Sequence, residues 1–221
     1  METQDAILSR HGVRAYRPDG VPEALIREIF NHARWAPSWR NPQGWHIWVV
    51  TGAALQRFKN DLTQKLLEDA PGMPDLDMPG RAWPELCLAR TARLMAVHEE
   101  AEATAGLDST REDQLTRLGE LFGAPCLIIY GVDCSVRGAQ GCFDSGAFVQ
   151  SMCQAAHATG LGTCVMATAV RFPELLHAML PNEAGKLMVV GVALGYPDTD
   201  AAINEFPREP VELDELVSWV K

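Results

Sequence analysis

The run Leu187-Met188-Val189-Val190-Gly191-Val192-Ala193-Leu194 constrains this chain more than any other segment. Eight apolar residues in succession cannot cross a bilayer, and they read as a β-strand covered on both faces. Pro125 opens a second buried strand, Cys126 to Val132. Trp45 to Thr51 is β-branched and aromatic, and Val165-Met166 forms a shorter strand. Helical patterns separate them. Pro22 starts one, with Leu25, Ile26, Ile29, Phe30 and Ala33 as its stripe, and Leu55, Phe58, Leu62 and Leu66 mark the next. Gly141 to Thr159 is a helix of small residues on which Phe143, Ala147, Gln150 and Gln154 share a face, and Phe172 to Leu180 is also helical. A sheet hidden on both sides and interleaved with helices is α/β or α+β, here one domain over residues 1–221. Segment 70–122 is a helical excursion from that core. It begins in a Pro/Gly-rich stretch, runs through a long charged helix, Glu85 to Ala105, and ends in a shorter one, Glu112 to Phe122.

Charge and cysteine usage exclude several function classes. Nineteen basic against 29 acidic side chains leave a net charge of −10, which repels phosphate backbones, so no nucleic-acid partner is expected. No apolar run is long enough for a membrane span, and the polar, acidic start Met1-Glu2-Thr3-Gln4-Asp5 is unlike a signal peptide, so a cytoplasmic protein is expected. Cys87, Cys126, Cys134, Cys142, Cys153 and Cys164 are never closer than eight positions, too far apart for Cys-x-x-Cys chemistry, and read as structural thiols. His98-Glu99-Glu100 lacks the second histidine of a zincin, and there is no Gly-x-Ser-x-Gly elbow; no metal ligand and no catalytic side chain is assigned.

Three clusters remain. Arg10 and Arg14 flank Gly12; a helical turn would bring both guanidiniums to one side to grip a phosphate, although spacing alone equally describes a solvated basic edge. Ala36-Pro37-Ser38-Trp39-Arg40-Asn41-Pro42-Gln43 sets short polar side chains beside Trp35, Trp39 and Trp45, a composition suited to a flat heterocycle or simply to a turn packed on core tryptophans. Gly160-Leu161-Gly162 follows a helix and enters a strand, the reverse of a dinucleotide fingerprint, and Val165 stands where its third glycine belongs, so a Rossmann site is rejected.

In order, these motifs resemble the flavin-dependent nitroreductase family. Ser9-Arg10-His11-Gly12-Val13-Arg14-Ala15-Tyr16 is similar to its N-terminal Ser-Arg-Arg-Ser-x-Arg-x-Phe, and Ala36-Pro37-Ser38-x-x-Asn41-x-Gln43-x-Trp45 to its Ala-Pro-Ser-x-x-Asn-x-Gln-Pro-Trp. Gly160-Leu161-Gly162 and Gly195-Tyr196-Pro197 before a tail with Arg208 complete the series. The resemblance implies a mixed central β-sheet flanked by helices in an entwined homodimer, with the tail 197–221 wrapping the partner and FMN at the interface. Arg10, Arg14 and Arg208 would neutralise the FMN phosphate, with His11 and Gly12 in close contact. Pro37, Ser38, Trp39 and Asn41 would reach the cofactor from the partner subunit, and Val165, Met166 and Ala167 would line the ring, a backbone N–H there bonding flavin N5. The departures are His11, Gly12 and Gly44 where the family often has Arg, Ser and Pro, and Ala167-Thr168 where some members have Glu-Gly.

The implied reaction is ping-pong hydride transfer from NAD(P)H (NADH or NADPH) through the flavin to a nitroaromatic, quinone or related acceptor. The cofactor carries the electrons and the protein orients it. Trp83, Arg90 and Arg93 loosely resemble the nitrobenzoate-reductase subgroup and would meet the substrate, Arg90 or Arg93 attracting a carboxylate or the NADPH 2′-phosphate. A same-scaffold dehalogenase, enoate reductase or flavin destructase, or a flavin-storage protein, are the alternatives.

Overall fold

The computed structural model describes residues 2–76, 83–107, 110–136, 138–205, 208 and 210–220. Pro79 and Gly80 of the Pro/Gly-rich stretch lie outside the described residues. Four strands, β1 (Trp45–Thr51), β2 (Cys126–Asp133), β3 (Gly162–Met166) and β4 (Lys186–Gly195), form one sheet in the order β1-β2-β4-β3. All three pairings are antiparallel. At the free edge of β3 a parallel bridge from Gly12 to Thr163 adds the N-terminal arm, and the sheet is mixed in that sense.

The two central strands are the two apolar runs, because only they are covered on both faces. In β2, Leu127 and Ile129 point one way and Cys126, Ile128 and Tyr130 the other, all buried. The first side packs with Leu55, Phe58, Leu62 and Leu66 of α3 (Gly52–Leu67), and with Phe172 and Leu176 of the segment containing α7 (Pro173–His177). The second packs under Ile26, Ile29 and Ala33 of α2 (Glu23–Ala33) and under Phe148, Val149, Met152, Cys153 and Ala156 of α6 (Ala139–Ala158). The face of α6 carrying Phe143, Ala147, Gln150 and Gln154 points outward, with Phe143 72% exposed.

The two helices of segment 70–122 differ. α5 (Arg111–Gly119), capped by the Thr110 side chain, lies against α3. α4 (Glu85–Thr104) has no buried residue, and Leu86, Leu88, Leu94 and Met95 are exposed on it. Among the described residues no helix is long and apolar enough to cross a membrane.

The N-terminal arm departs from expectation. α1 (Thr3–Ser9) ends before Arg10, whose backbone is already extended, so Arg10 and Arg14 do not share a helical turn. Segment 10–16 runs instead along β3 and then meets the tail, with the Val13 N–H donating to the Thr163 carbonyl at 3.0 Å and Tyr16 bridging Pro197. An extended chain alternates its side chains with period two, so any common side for Arg10 and Arg14 comes from that period and not from a helix. Long-range pairing with β3 overrides the local spacing of four.

Buried Asn204 ties arm to tail. Its Oδ1 accepts the N–H groups of Arg14 (2.7 Å) and Ala15 (3.2 Å), and its Nδ2 donates to the carbonyls of Ala15 and Asp198, both at 2.9 Å. At about 0.5–1.5 kcal/mol net for each bond, this one side chain fixes where the Arg14 backbone sits. Residues 210–220, with α8 (Leu213–Leu216), lie by α4 of the same chain, where Arg90 and Glu215 pair at 2.8 Å.

Candidate active site

Two cavities flank the arm and the end of β3 and a third lies between α4 and the tail, and they divide most of the expected site residues. The first, about 230 Å³, is lined by Arg10, His11, Val13, His157, Gly160–Thr163 and Pro197. Arg208 stands beside it, donating from Nη1 to the Arg10 carbonyl at 2.6 Å. His157 Nε2 lies 2.7 Å from Ser9 Oγ, and His11 Nδ1 lies 3.0 Å from the Ser9 carbonyl. Burial is the largest influence lowering the His157 pKa below the usual imidazole value, and His11, Arg10 and Arg208 push the same way. Among the described residues, no lining side chain is acidic. A cavity built this way attracts an anion.

The second cavity, about 330 Å³, is lined by Arg14, by Cys164–Thr168 at the end of β3, by Met95, His98, Glu99 and Glu102 of α4, by Gln114, Arg117 and Leu118 of α5, and by Phe122 and Ile203. Arg14 therefore does not share the lining of Arg10 and His11. Along one face of β3, Thr163 is 2% exposed and Val165 49%, so the strand emerges from its cover where Val165, Met166 and Ala167 were expected to meet a flat ring. Opposite, Arg117 and Glu102 pair at 3.0 Å, and Gln114 Nε2 donates to Glu102 at 3.4 Å. Burial, then the Arg14 charge, lowers the His98 pKa, with Glu102 opposing. Burial raises the Cys164 pKa while Arg14 pulls it down, which leaves a protonated thiol rather than a nucleophile. A Cβ on Gly12 would meet only ordinary contacts, 3.6 Å from Arg14 Nη1 and 3.9 Å from Cys164 Sγ, so space in the chain itself does not demand glycine there.

Pro37, Ser38, Trp39 and Asn41 line neither cavity. They sit on the α2–β1 loop, where Arg40, Asn41 and Gln43 hold left-handed backbone (φ 55°, 59° and 47°), an uncommon conformation for residues with a Cβ. Local bonds offset the strain: the Asn41 N–H donates to the Ser38 carbonyl at 2.9 Å, the Gln43 N–H to Ser38 Oγ at 3.3 Å, and Gln43 Nε2 to Asn41 Oδ1 at 2.7 Å. From α6, the buried carboxylate of Asp144 accepts the Trp39 N–H, at 3.2 and 3.1 Å to its two oxygens. The loop is thus held rigidly while Trp39, with the Arg40 guanidinium 4.8 Å over its ring, stays 58% exposed.

Arg90 and Arg93 line a third cavity of about 710 Å³ between α4 and the tail, together with Arg208 and Glu215, and exposed Trp83 precedes α4. None of the three joins the lining of the second cavity. The residues of α4 that do join it, Met95, His98, Glu99 and Glu102, recur at intervals of three and four; that period was legible, but their charge reads as a solvated face. His157, Asp144 and Asn204 carry no sequence pattern at all, because their partners lie more than 100 positions away.

Comparison with known proteins converges on one family. The model of the "Nitroreductase family" matches residues 7–196. A 4-nitrobenzoate reductase of Pseudomonas putida is 31% identical over 212 residues, covering 93% of this chain and 91% of the relative. Among solved structures, the FMN-dependent nitroreductase NfnB from Mycobacterium smegmatis in complex with NADPH superposes with a TM-score of 0.87 at 27% identity, over 99% of this chain and 97% of that one. The FMN and NADPH-dependent NfnB from sphigopyxis sp. strain HMH gives 0.88 at 26%, with both chains fully covered.

Proposed function

We propose, from the premise that this chain belongs to the nitroreductase family, that it is an FMN-dependent oxidoreductase carrying electrons from NAD(P)H to nitroaromatic, quinone or related acceptors. The observation that carries the reading is the pair of neighbouring cavities, one cationic and free of lining carboxylates, the other opening onto the exposed end of β3. A phosphate monoester fits the first by charge and a planar ring fits the second by its floor, so the residues present suit FMN. The similar NfnB structures, named for FMN and NADPH, and the relative named for 4-nitrobenzoate support the same assignment.

Bound FMN would supply the two-electron relay between NAD(P)H and the acceptor. Arg10, His11 and Arg208 hold the phosphate, and Gly12 passes the backbone beside it. Val165, Met166 and Ala167 form the floor under the ring. Ala167 opens a 3-10 turn, and the first N–H of such a turn has no acceptor within it, which makes that group the donor for the ring's N5 edge. Arg14, in the same cavity, would supply a fixed positive charge beside the bound cofactor. An acceptor over the second cavity would lie beside Met95, His98 and Phe122, whereas Arg90 and Arg93 line a separate cavity.

The functional unit in this reading is a homodimer. Trp35 is 82% exposed, and Trp39 and Phe143 are also left open on one chain. The rigid Pro37–Asn41 loop lines neither cavity of its own chain, which suits delivery of Ser38, Trp39 and Asn41 to the partner's cofactor. Steady-state kinetics test the reading. With NADPH varied at several fixed nitroaromatic concentrations, double-reciprocal plots are expected to be parallel, as donor and acceptor use one site in turn; intersecting lines would contradict that shared site.

A further inference from the structure

Ser9, the last residue of α1, addresses two imidazoles with its two oxygens. Its hydroxyl has a single proton, and that proton goes to the Asp5 carbonyl at 2.6 Å. Toward His157 Nε2, 2.7 Å away, the Ser9 oxygen therefore accepts, and the imidazole carries its proton on Nε2. The Ser9 carbonyl can only accept, so His11 holds its proton on Nδ1. Both rings line the first cavity, each oriented by its contact with Ser9.

His157 stands in the last turn of α6, where the dipole of a 20-residue helix favours a cation. The charged and titratable groups acting on it, Arg10 and His11 of the arm and Arg208 of the tail, push the other way, as does burial, and among the described residues no carboxylate lines the cavity. A dianion entering the cavity reverses that balance by neutralising the arginines and attracting the imidazolium directly.

We propose that His157 is a proton-linked binding residue of the phosphate cavity, taking up a proton as a phosphate monoester dianion enters, so that cofactor capture tightens as pH falls from 8 toward 6.5. The inference rests on the reading of the first cavity as the FMN phosphate site. Its sign follows from linkage. The ligand-free imidazole is held neutral and the dianion raises its proton affinity, so binding consumes a proton between those two states. Complete uptake would change affinity about tenfold per pH unit. Below about pH 6 the ester itself protonates and the gain ends.

The test is a fluorescence titration of flavin-stripped full-length protein from pH 6.5 to 8.0 with FMN, with riboflavin, and with inorganic phosphate as competitor. FMN is expected to bind about 5- to 10-fold more tightly at pH 6.5 than at pH 8.0, while riboflavin, lacking the ester, shows no trend. His157→Gln keeps a donor toward Ser9 and is expected to reduce the pH dependence of FMN binding to less than about twofold. An equal pH slope in His157→Gln, or none in the unmodified protein, overturns the proposal while leaving FMN binding intact. FMN and riboflavin binding equally at every pH overturns the phosphate-site reading beneath it. Competition by inorganic phosphate with the same slope supports a site for any phosphate dianion, and its absence supports a need for the whole ester. Calorimetry of FMN binding in two buffers of different ionisation enthalpy gives a check without substitution: proton uptake at pH 7.5 supports the proposal, and zero uptake overturns it.

Discussion

Arg10→Glu is expected to yield a folded protein that purifies with little or no flavin, its FMN affinity lowered at least about 100-fold. The side chain leaves α1 at its C-terminal end and lines a cavity with no carboxylate, so the substitution removes a charge-assisted hydrogen-bond donor and adds a negative charge facing the phosphate. Loss of the donor alone is worth about 1.5–3 kcal/mol, and about 2.8 kcal/mol corresponds to a factor of 100 in affinity. Stability should change little, because the Arg208 contact is to the Arg10 backbone carbonyl, which the substitution retains. Thermal unfolding and flavin content measured on one preparation separate the effects. An Arg10→Glu protein with ordinary flavin content would show that the phosphate sits elsewhere.

Gly191→Val is expected to damage both fold and site. Gly191 lies in β4 opposite Met166 of β3 and Ile129 of β2. A Cβ there would stand 2.4 Å from the Ala169 Cβ, and 3.3 and 3.4 Å from methyl carbons of Leu127 and Ile129. Ala169 belongs to the 3-10 turn Ala167–Val170, which rests directly on the sheet because residue 191 has no side chain. Valine forces the turn outward. Overpacking of this kind costs about 1–3 kcal/mol, or roughly 2–10 °C in melting temperature for a chain of this size. Flavin retention falls too, because the turn begins with Ala167 and its N–H moves with it. Gly20→Ala is the control: nothing lies within 4 Å of a Cβ there, and neither property should change. A Gly191→Val protein with unchanged melting temperature would show that the turn yields freely.

These expectations combine features the chain displays in its sequence with others that only the fold creates. The strands were legible for two reasons: β-branched and aromatic residues mark Trp45–Thr51, which coincides with β1, and burial on both faces leaves the apolar runs Cys126–Val132 and Leu187–Leu194, which fall within β2 and β4. The stripe Leu55, Phe58, Leu62 and Leu66 is the buried face of α3. Strand β3 begins at Gly162 and not at Val165, since small Gly162, Thr163 and Cys164 carry no strand signal and are held in register by Gly195, Leu194 and Ala193. Arg10 and Arg14 misled for a related reason. A spacing of four means a helical turn only where the chain is helical, and segment 10–16 is drawn out by partners near positions 163, 197 and 204.

The site follows the same division. Two of the segments expected to meet the cofactor, 10–14 and 165–167, line the first two cavities while Pro37–Asn41 lines neither, and tertiary contact adds isolated polar residues: His157 to the first, and His98, Glu102 and Arg117 to the second. A charged helix such as α4 has the sequence of a solvated surface whether or not one of its faces closes a cavity, so local periodicity does not distinguish the two. Arg90 and Arg93, expected near the substrate from a loose resemblance to the nitrobenzoate-reductase subgroup, line the cavity between α4 and the tail.

The central claim is that the two cavities hold one flavin that NAD(P)H reduces and an aromatic acceptor reoxidises. Anaerobic titration of the FMN-loaded protein with NADPH, and in parallel with NADH, followed at the visible flavin band, tests it most directly. Stoichiometric bleaching by either nucleotide, reversed on adding a nitroaromatic or a quinone, is the predicted result. A flavin band that neither nucleotide bleaches would contradict it.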